Sequence, residues 1–101
     1  MATDYVVVHR DRVASTQDEA RDRFAGVPCL VTAAGQDAGR GRSGAEWVNA
    51  PRALAASLAF SAGWPPSRIP LLTLVAGLAA RRALGSSHRL KWPNDVVTPA
   101  G

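Results

Sequence analysis

The apolar and polar residues of this chain alternate with two different periods, which predict short strands and two helices. Tyr5–Val8 reads YVVV and Pro28–Ala34 reads PCLVTAA, so each predicts a strand, the second of them buried. Between these strands, Thr16 followed by Glu19 fits a capping box at the start of a helix. That helix is expected to run to about residue 25, with Gly26 as its stop.

The middle of the chain holds one ambiguous segment and one long periodic segment. Arg52–Phe60 is rich in alanine, which favours a helix, but Leu54 and Leu58 lie on one alternating face with Phe60, as in a strand. Ile69–Gly85 is apolar nearly all round until two arginines close to its end. It therefore predicts a buried central helix.

The last segments predict strands again. His88–Trp92 is typical of a short strand, and Val96 begins another for which the pattern offers no partner. The predicted order is β-α-β-β-α-β-β, and neighbouring strands without a helix between them favour an antiparallel or mixed sheet. We expect an α+β fold with a mixed, mostly antiparallel sheet backed by helices, as one partial domain over residues 1–101 that is incomplete at its C-terminus.

Composition limits the class of protein. Hydrophobic residues make up 47% of the 101 residues and charged residues 20%, which is typical of a globular domain. Apolar runs stay well short of the ~20 residues that span a bilayer, so no membrane partner is expected. The first residues show no basic leader, and a single cysteine, Cys29, cannot form an internal disulfide. Both features favour the cytoplasm.

The charge is unevenly distributed. Residues 1–50 carry six Lys/Arg and seven Asp/Glu, whereas residues 51–101 carry six and one, for a total of +4. This asymmetry favours an anionic partner, and nucleic acid, a nucleotide phosphate and an acidic protein are all candidates. A solvated basic surface explains the charge equally well.

The stretch GQDAGRGRSGAEW, Gly35–Trp47, has the composition of a ligand-binding loop. Its glycines let backbone amides approach an anion, Arg40 and Arg42 can bond phosphate oxygens, and Trp47 offers an apolar face to a base. The stretch lacks the lysine of a P-loop and the following helix of a dinucleotide fingerprint. A flexible hairpin tip and a Gly-Arg nucleic-acid-binding segment remain alternatives.

Two shorter stretches add polar candidates. LKWPND, Leu90–Asp95, places a lysine before an Asn-Asp turn that could hold a phosphate and Mg²⁺, although such turns also cap their own backbone. STQ, Ser15–Gln17, is explained by helix capping alone.

In this order and at these separations, the three stretches resemble biotin–protein ligases. That family carries Ser-Thr-Asn at its first helix, a Gln-x-x-Gly-Arg-Gly-Arg-x-Gly-Arg-x-Trp loop and a Lys-Trp-Pro-Asn-Asp strand and turn. The resemblance implies an ATP-dependent ligase with a fold akin to class II aminoacyl-tRNA synthetases. Such an enzyme makes biotinyl-5′-AMP from biotin and ATP, and transfers biotin to a lysine of a biotin carboxyl carrier protein. It would use ATP with Mg²⁺ and no permanent cofactor.

The resemblance also implies roles for individual residues. Those carrying the chemistry would be Arg40, Arg42 and Lys91. Those binding biotin would be Ser15, Thr16, Gln17, Gln36, Arg40, Gly41 and Arg42. Those binding the nucleotide would be Gly39, Arg40, Arg42, Trp47, Lys91 and Asn94, with Asp95 beside the magnesium ion.

The sequence departs from the family pattern at several places. Gln17 stands where the family has Asn, Ala45 stands where it has the third arginine of the loop, and the lysine expected soon after Asp95 does not occur before Gly101. The chain is therefore expected to be an inactive or half-enzyme fragment that associates with itself or with a second chain.

Three other interpretations stay open or are disfavoured. A DNA-binding repressor is not expected, since no helix-turn-helix precedes the motifs. A lipoate–protein ligase shares the fold but typically carries a different loop. A non-catalytic nucleotide- or nucleic-acid-binding module fits the pI of about 10.6.

Overall fold

The computed structural model describes residues 4–41, 44–48, 52–92 and 95–98. The chain divides into two compact units, Met1–Ser61 and Ala62–Gly101. The predictions for Arg42 and Asn94 lie outside the described residues.

The first unit contains a three-stranded sheet in the order β1-β2-β5. The strands are β1 (Val6–Val13), β2 (Cys29–Gln36) and β5 (Ala55–Ala59). β1 pairs with β2 in parallel, and β2 pairs with β5 in antiparallel register. The parallel pair is possible because a helix, α1 (Thr16–Arg23), connects the two strands. The mixed sheet is the one predicted, and β5 resolves the ambiguity of residues 52–60 in favour of a strand.

The start of α1 differs by one residue from the prediction. Ser15, not Thr16, is the N-cap, and its Oγ accepts a hydrogen bond from the backbone N–H of Asp18 at 3.3 Å. The capping box predicted with Glu19 is therefore wrong, because the Thr16 hydroxyl is bonded elsewhere. The helix also ends earlier, with Phe24 as its C-cap and Gly26 at a φ of +91° beyond it.

The core of the first unit is small and consists of short side chains. Ala20 of α1 packs against Cys29 and Val31 of β2, all at most 2% exposed. On β5 the buried position is Ala55, whereas Leu58 points outward and is 55% exposed. The inward-facing residues of β5 are thus small, and Ala59 packs against the core.

Much of the glycine-rich stretch forms regular structure. Gly35 and Gln36 complete β2, and a short antiparallel ladder then joins β3 (Gly39–Arg40) to β4 (Glu46–Trp47). The backbone N–H of Gly41 donates to the carbonyl of Ala45 across this ladder. The stretch is therefore a hairpin that continues from a sheet strand.

The second unit contains one helix and one hairpin. A 3-10 helix over Pro66–Leu71 leads into α2 (Leu72–Leu84), which Gly85 ends at a φ of +99°. The expectation of a buried helix is wrong: Gly77 is its one buried residue among those described, and Val75, Leu78 and Leu84 are about half exposed. No helix in the described part of the chain is long and apolar enough to cross a membrane.

The hairpin of the second unit joins β6 (Arg89–Lys91) to β7 (Asp95–Val97) in antiparallel register. The strand that begins near Val96 therefore has a partner, contrary to the sequence prediction. In the sequence, the Pro-Asn pair of the LKWPND stretch falls between the two strands. Residues of this kind favour a turn, which suits a short antiparallel connection.

Candidate functional site

The start of α1 buries two hydroxyl side chains. Ser15 and Thr16 are each 3% exposed, which is unusual for polar residues unless they are hydrogen-bonded. The Ser15 hydroxyl is accounted for by its capping bond. The Thr16 hydroxyl lies on the side of the helix that faces the sheet and is the centre of a second set of contacts.

Thr16 connects the two strands beneath it. Its backbone N–H donates to Oε1 of Gln36 at 2.9 Å, and its hydroxyl donates to the same oxygen at 3.1 Å. The Thr16 hydroxyl also lies 2.8 Å from the Ser57 hydroxyl on β5. Because the Thr16 proton is directed to Gln36, Ser57 is the donor in the last bond.

This chain of bonds fixes the orientation of the Gln36 amide. A backbone N–H can only donate, so the amide atom facing Thr16 is the oxygen, and the Nε2 group points the other way. The N–H groups of Gln36, the last residue of β2, therefore point away from the helix. We call Thr16, Gln36 and Ser57 the inner network.

Gly39 leaves room for that amide. A Cβ at position 39 would lie 2.7 Å from Nε2 of Gln36 and 3.0 Å from the carbonyl oxygen of Trp47. Both distances are shorter than side-chain carbons normally adopt, so any larger residue here would have to displace the Gln36 amide and press on the Trp47 carbonyl. The glycine of the motif is therefore explained by packing between Gln36 and β4.

The outer side of the same helical turn is ionic. Oδ1 of Asp18 accepts hydrogen bonds from Nη2 of Arg40 and from Nη2 of Arg21. Nε2 of Gln17 donates to the backbone carbonyl of Arg40 at 3.3 Å. Both the main chain and the side chain of Arg40 are thus held by the first turn of α1. We call Asp18, Arg21 and Arg40 the outer ion cluster.

The glycine-rich stretch is also tied to β1. Nε of Arg12 donates to Oδ1 of Asp37 at 2.6 Å, and the backbone N–H groups of Asp37 and Ala38 donate to the carbonyls of Val13 and Ala14. A Cβ at Gly35 would lie 2.6 Å from the Arg12 guanidinium. These contacts extend the β1–β2 pairing past the end of both strands, so the stretch leaves the sheet in a fixed direction.

The remaining predicted residues have simpler surroundings. Trp47 is 59% exposed beside Gly39, its partner in the β3–β4 ladder. In the second unit, Lys91 and Asp95 are directly opposite each other across the β6–β7 hairpin. Within residues 4–41, 44–48, 52–92 and 95–98, no three His, Cys, Asp or Glu side chains are grouped so that they could hold a metal ion.

The structure thus joins several predicted residues in the first unit and adds three others. Those it joins through hydrogen bonds are Thr16 with Gln36, and Gln17 with Arg40. Sequence reasoning missed Ser57, Asp18 and Arg21. Nothing in the sequence pattern pairs Asp18 with a distant arginine, and nothing in the alanine-rich β5 segment points to its serine.

A comparison with protein families gives one match over nearly the whole chain. The model of the biotin/lipoate A/B protein ligase family matches residues 9–100. The chain belongs to this family. The inner network, the outer ion cluster and the β6–β7 hairpin all lie inside the matched range.

Solved structures that resemble the chain come from the same family. Biotin protein ligase from Leishmania major, in complex with biotinyl-5-AMP, matches with a TM-score of 0.70 and 28% identity, over 97% of this chain and 48% of that one. The same enzyme in complex with biotin gives a TM-score of 0.72 and 29% identity, over 91% and 46%.

A third structure comes from Helicobacter pylori. Its biotin acetyl coenzyme A carboxylase synthetase, with bound biotinylated ATP, matches with a TM-score of 0.65 and 28% identity, over 94% of this chain and 49% of that one. The chain therefore spans about half the length of these biotin ligases. The likeness confirms the predicted α+β ligase fold with its mixed sheet.

Proposed function

We propose that this chain is part of a biotin–protein ligase and forms the portion of the catalytic domain that binds biotin and its adenylate. The main support is the meeting of two motifs at one helical turn. Gln36, from the glycine-rich stretch, accepts two hydrogen bonds from Thr16 of the STQ stretch. The solved relatives hold biotin and biotinyl-5-AMP, which is the chemistry that this proposal assigns to the turn.

The inner network supports a role in binding the biotin ring. A ureido ring carries both hydrogen-bond donors and an acceptor, so it needs fixed partners of both kinds. The network holds the Gln36 amide in one orientation and buries Ser15 and Thr16 at the start of α1. We assign Ser15, Thr16, Gln17 and Gln36 to this part of the site, with the orientation of Gln36 set by Thr16.

Arg40 supports a role toward the anionic groups. Attack of a carboxylate on the α-phosphate brings negative charges together, and fixed guanidinium and backbone N–H groups offset that charge. The ladder to β4 holds the backbone of Gly39 and Arg40, and Gln17 donates a hydrogen bond to the carbonyl of Arg40. We assign Arg40 and Arg42, with Gly39 and Gly41, to the carboxylate and the phosphates, and Trp47 to the adenine.

The nucleotide would arrive with its magnesium ion. Mg²⁺ commonly uses phosphate oxygens, water and one or two carboxylates, so a dedicated group of acidic residues is not needed. Lys91 and Asp95 face each other across the hairpin and present one cation and one carboxylate for this purpose. We assign Lys91, Asn94 and Asp95 to the phosphates and the metal.

Calorimetric titration of the chain with biotin, and then with ATP, tests the proposal. Arg40→Gln is expected to weaken ATP binding by about ten- to a hundredfold, since a hydrogen bond to a charged group is lost. The matched control is Arg52→Gln, at an exposed arginine shortly before β5, which should bind as the unchanged chain does. Absence of biotin heat from a chain that circular dichroism shows to be folded would contradict the proposal.

Competition and transfer assays separate the alternatives. Lipoate that displaces biotin would favour a lipoate ligase, and tight RNA binding with a steep salt dependence would favour a nucleic-acid-binding module. Transfer is tested by incubation with a biotin carboxyl carrier protein and labelled biotin.

A cytoplasmic location is also part of the proposal, as is association of the chain with itself or with a second chain. Light scattering tests the association.

A further inference from the structure

Asp18, which has no role in the proposed site, lies at the centre of the outer ion cluster. One oxygen of its carboxylate, Oδ1, accepts from both Arg21 and Arg40. Arg21 lies three residues further along α1, whereas Arg40 comes from β3, 22 residues away in sequence. The carboxylate therefore links the helix to the arginine that we assign to the ligand's anionic groups.

The ion pair draws Arg40 to the outer side of the helix. Residues two apart on an α-helix point about 200° apart, so Asp18 and Thr16 face different sides. Thr16 is buried over the sheet, whereas the Asp18 side chain is 46% exposed. In this position the guanidinium of Arg40 is bonded to the protein's own carboxylate.

We infer that Asp18 is a positioning residue that holds Arg40 while no anion is bound and gives it up to an anionic group of the ligand. This inference rests on the proposed function, because it takes the ligand to carry a carboxylate or a phosphate. Asp18 and the ligand compete for one guanidinium. The strength of the ion pair thus determines how much the bond to Arg40 contributes to the affinity for the ligand.

Two features of the outer ion cluster keep the free-energy cost of this exchange small. The side chains of Arg40 and Asp18 are 41% and 46% exposed, and exposed ion pairs contribute little to stability. Arg21 also stays bonded to Oδ1 when Arg40 leaves, so the carboxylate keeps a partner. A buried or singly paired carboxylate would resist the exchange much more strongly.

Calorimetry on the full chain with Asp18→Asn tests the inference, with Asp22→Asn as the matched control. Asp22 is exposed on the same helix, so its substitution removes the same charge and leaves the Asp18–Arg40 pair in place. Asp18→Asn is expected to bind biotin or ATP about two- to fivefold more tightly than the control does, as the loss of an exposed competing pair predicts. Equal affinities of the two variants for both ligands would overturn the inference.

A neutral ligand and a double variant show which group is exchanged. Biotinamide lacks the carboxylate, so a gain with biotin but not with biotinamide identifies the carboxylate, and a gain with ATP alone identifies the phosphates. In an Arg40→Gln background the gain from Asp18→Asn should fall to that of the control. A gain that persists without Arg40 would overturn the inference.

A measurement without ligand separates this inference from the proposed function. The Nη–H signals of Arg40 in nuclear magnetic resonance should exchange with solvent faster in Asp18→Asn than in Asp22→Asn, because Nη2 is the group that bonds Asp18. If the unchanged chain binds neither biotin nor ATP, the proposed function fails while this measurement still decides about Asp18. Identical exchange in the two variants would show that Asp18 does not hold Arg40.

Discussion

The two sides of the first turn of α1 hold the same glycine-rich stretch by different means. On the inner side, the buried Thr16 holds Gln36 through two neutral hydrogen bonds, and Ser57 bonds the Thr16 hydroxyl in turn. On the outer side, Asp18 holds Arg40 through a half-exposed ion pair. Buried neutral bonds are directional and costly to leave unmade, whereas exposed ion pairs are easily exchanged with water or a ligand.

This difference divides the proposed site into a fixed part and a releasable part. The fixed part suits recognition of an uncharged ring, because the orientation of the Gln36 amide must not change on binding. The releasable part suits an anionic group, because Arg40 can leave one carboxylate for another. Changes to the inner network should therefore lower stability and binding together, and changes to the outer ion cluster should alter binding with little effect on stability.

The largest expected effect is that of Thr16→Val. The substitution keeps the shape but removes the hydroxyl, so Gln36 loses one donor and Ser57 loses its acceptor. We expect the free energy of unfolding to fall by about 2 kcal/mol. Urea denaturation followed by circular dichroism measures it, with Thr32→Val as the control, since Thr32 bonds the exposed His9. A loss no greater than that of the control would remove the distinction between the two sides.

Gly39→Ala tests the room left for the Gln36 amide. The new Cβ would collide with Nε2 of Gln36 and press on the Trp47 carbonyl, so either the amide or β4 must move. We expect a loss of about 1 to 2 kcal/mol in urea denaturation and weaker biotin binding. For the urea denaturation, Gly41→Ala is the control, because its Cβ would meet ordinary contacts from 3.5 Å. Equal losses at the two positions would contradict the packing argument.

Ser57→Ala tests the end of the inner network at β5. Thr16 keeps its bond to Gln36 but loses the donor beneath it, so we expect a loss of about 1 kcal/mol. The measurement is again urea denaturation with an unchanged m-value. Ser61→Ala, at an exposed position after β5, should change little. No difference between these two serine variants would mean that the bond to Thr16 contributes nothing.

The smallest expected effect on stability is that of Asp18→Asn. An exposed ion pair contributes little, so the free energy of unfolding should change by less than about 1 kcal/mol. Urea denaturation beside Asp22→Asn checks this. A loss as large as that of Thr16→Val would place Asp18 with the fixed part of the site and contradict its division into two parts.

The sequence predicted most elements of the first unit, and it failed where neighbouring residues compete for one role. Two hydroxyl residues precede or begin α1, and local pattern cannot tell which one caps the helix. Gln36 on β2 decides it, because it takes the Thr16 hydroxyl and leaves Ser15 to cap. The sequence did not predict which face of β5 is buried, because alternation alone does not show which face has a packed partner. Ala55 is buried and Ala59 packs against the core, whereas Leu58 is exposed.

In the second unit the sequence overestimated burial. The apolar residues of α2 predicted a central helix, yet Val75 and Leu78 are about half exposed among the described residues. Hydrophobic composition indicates that a face can be buried, but only a packed partner buries it. The two strands of the β6–β7 hairpin lie close to their predicted positions, but the pairing between them was not predicted.

The sequence by itself determined the family of this protein, because its motifs are short, ordered and local. It also determined β1, α1, β2 and the strand that carries the lysine motif, since alternation is a local property, but it did not predict the β3–β4 ladder of the glycine-rich stretch. Only the tertiary structure decided that Ser57 completes the inner network and that Asp18 holds Arg40. Those contacts join residues 22 to 41 positions apart, and their geometry depends on how α1 packs on the sheet.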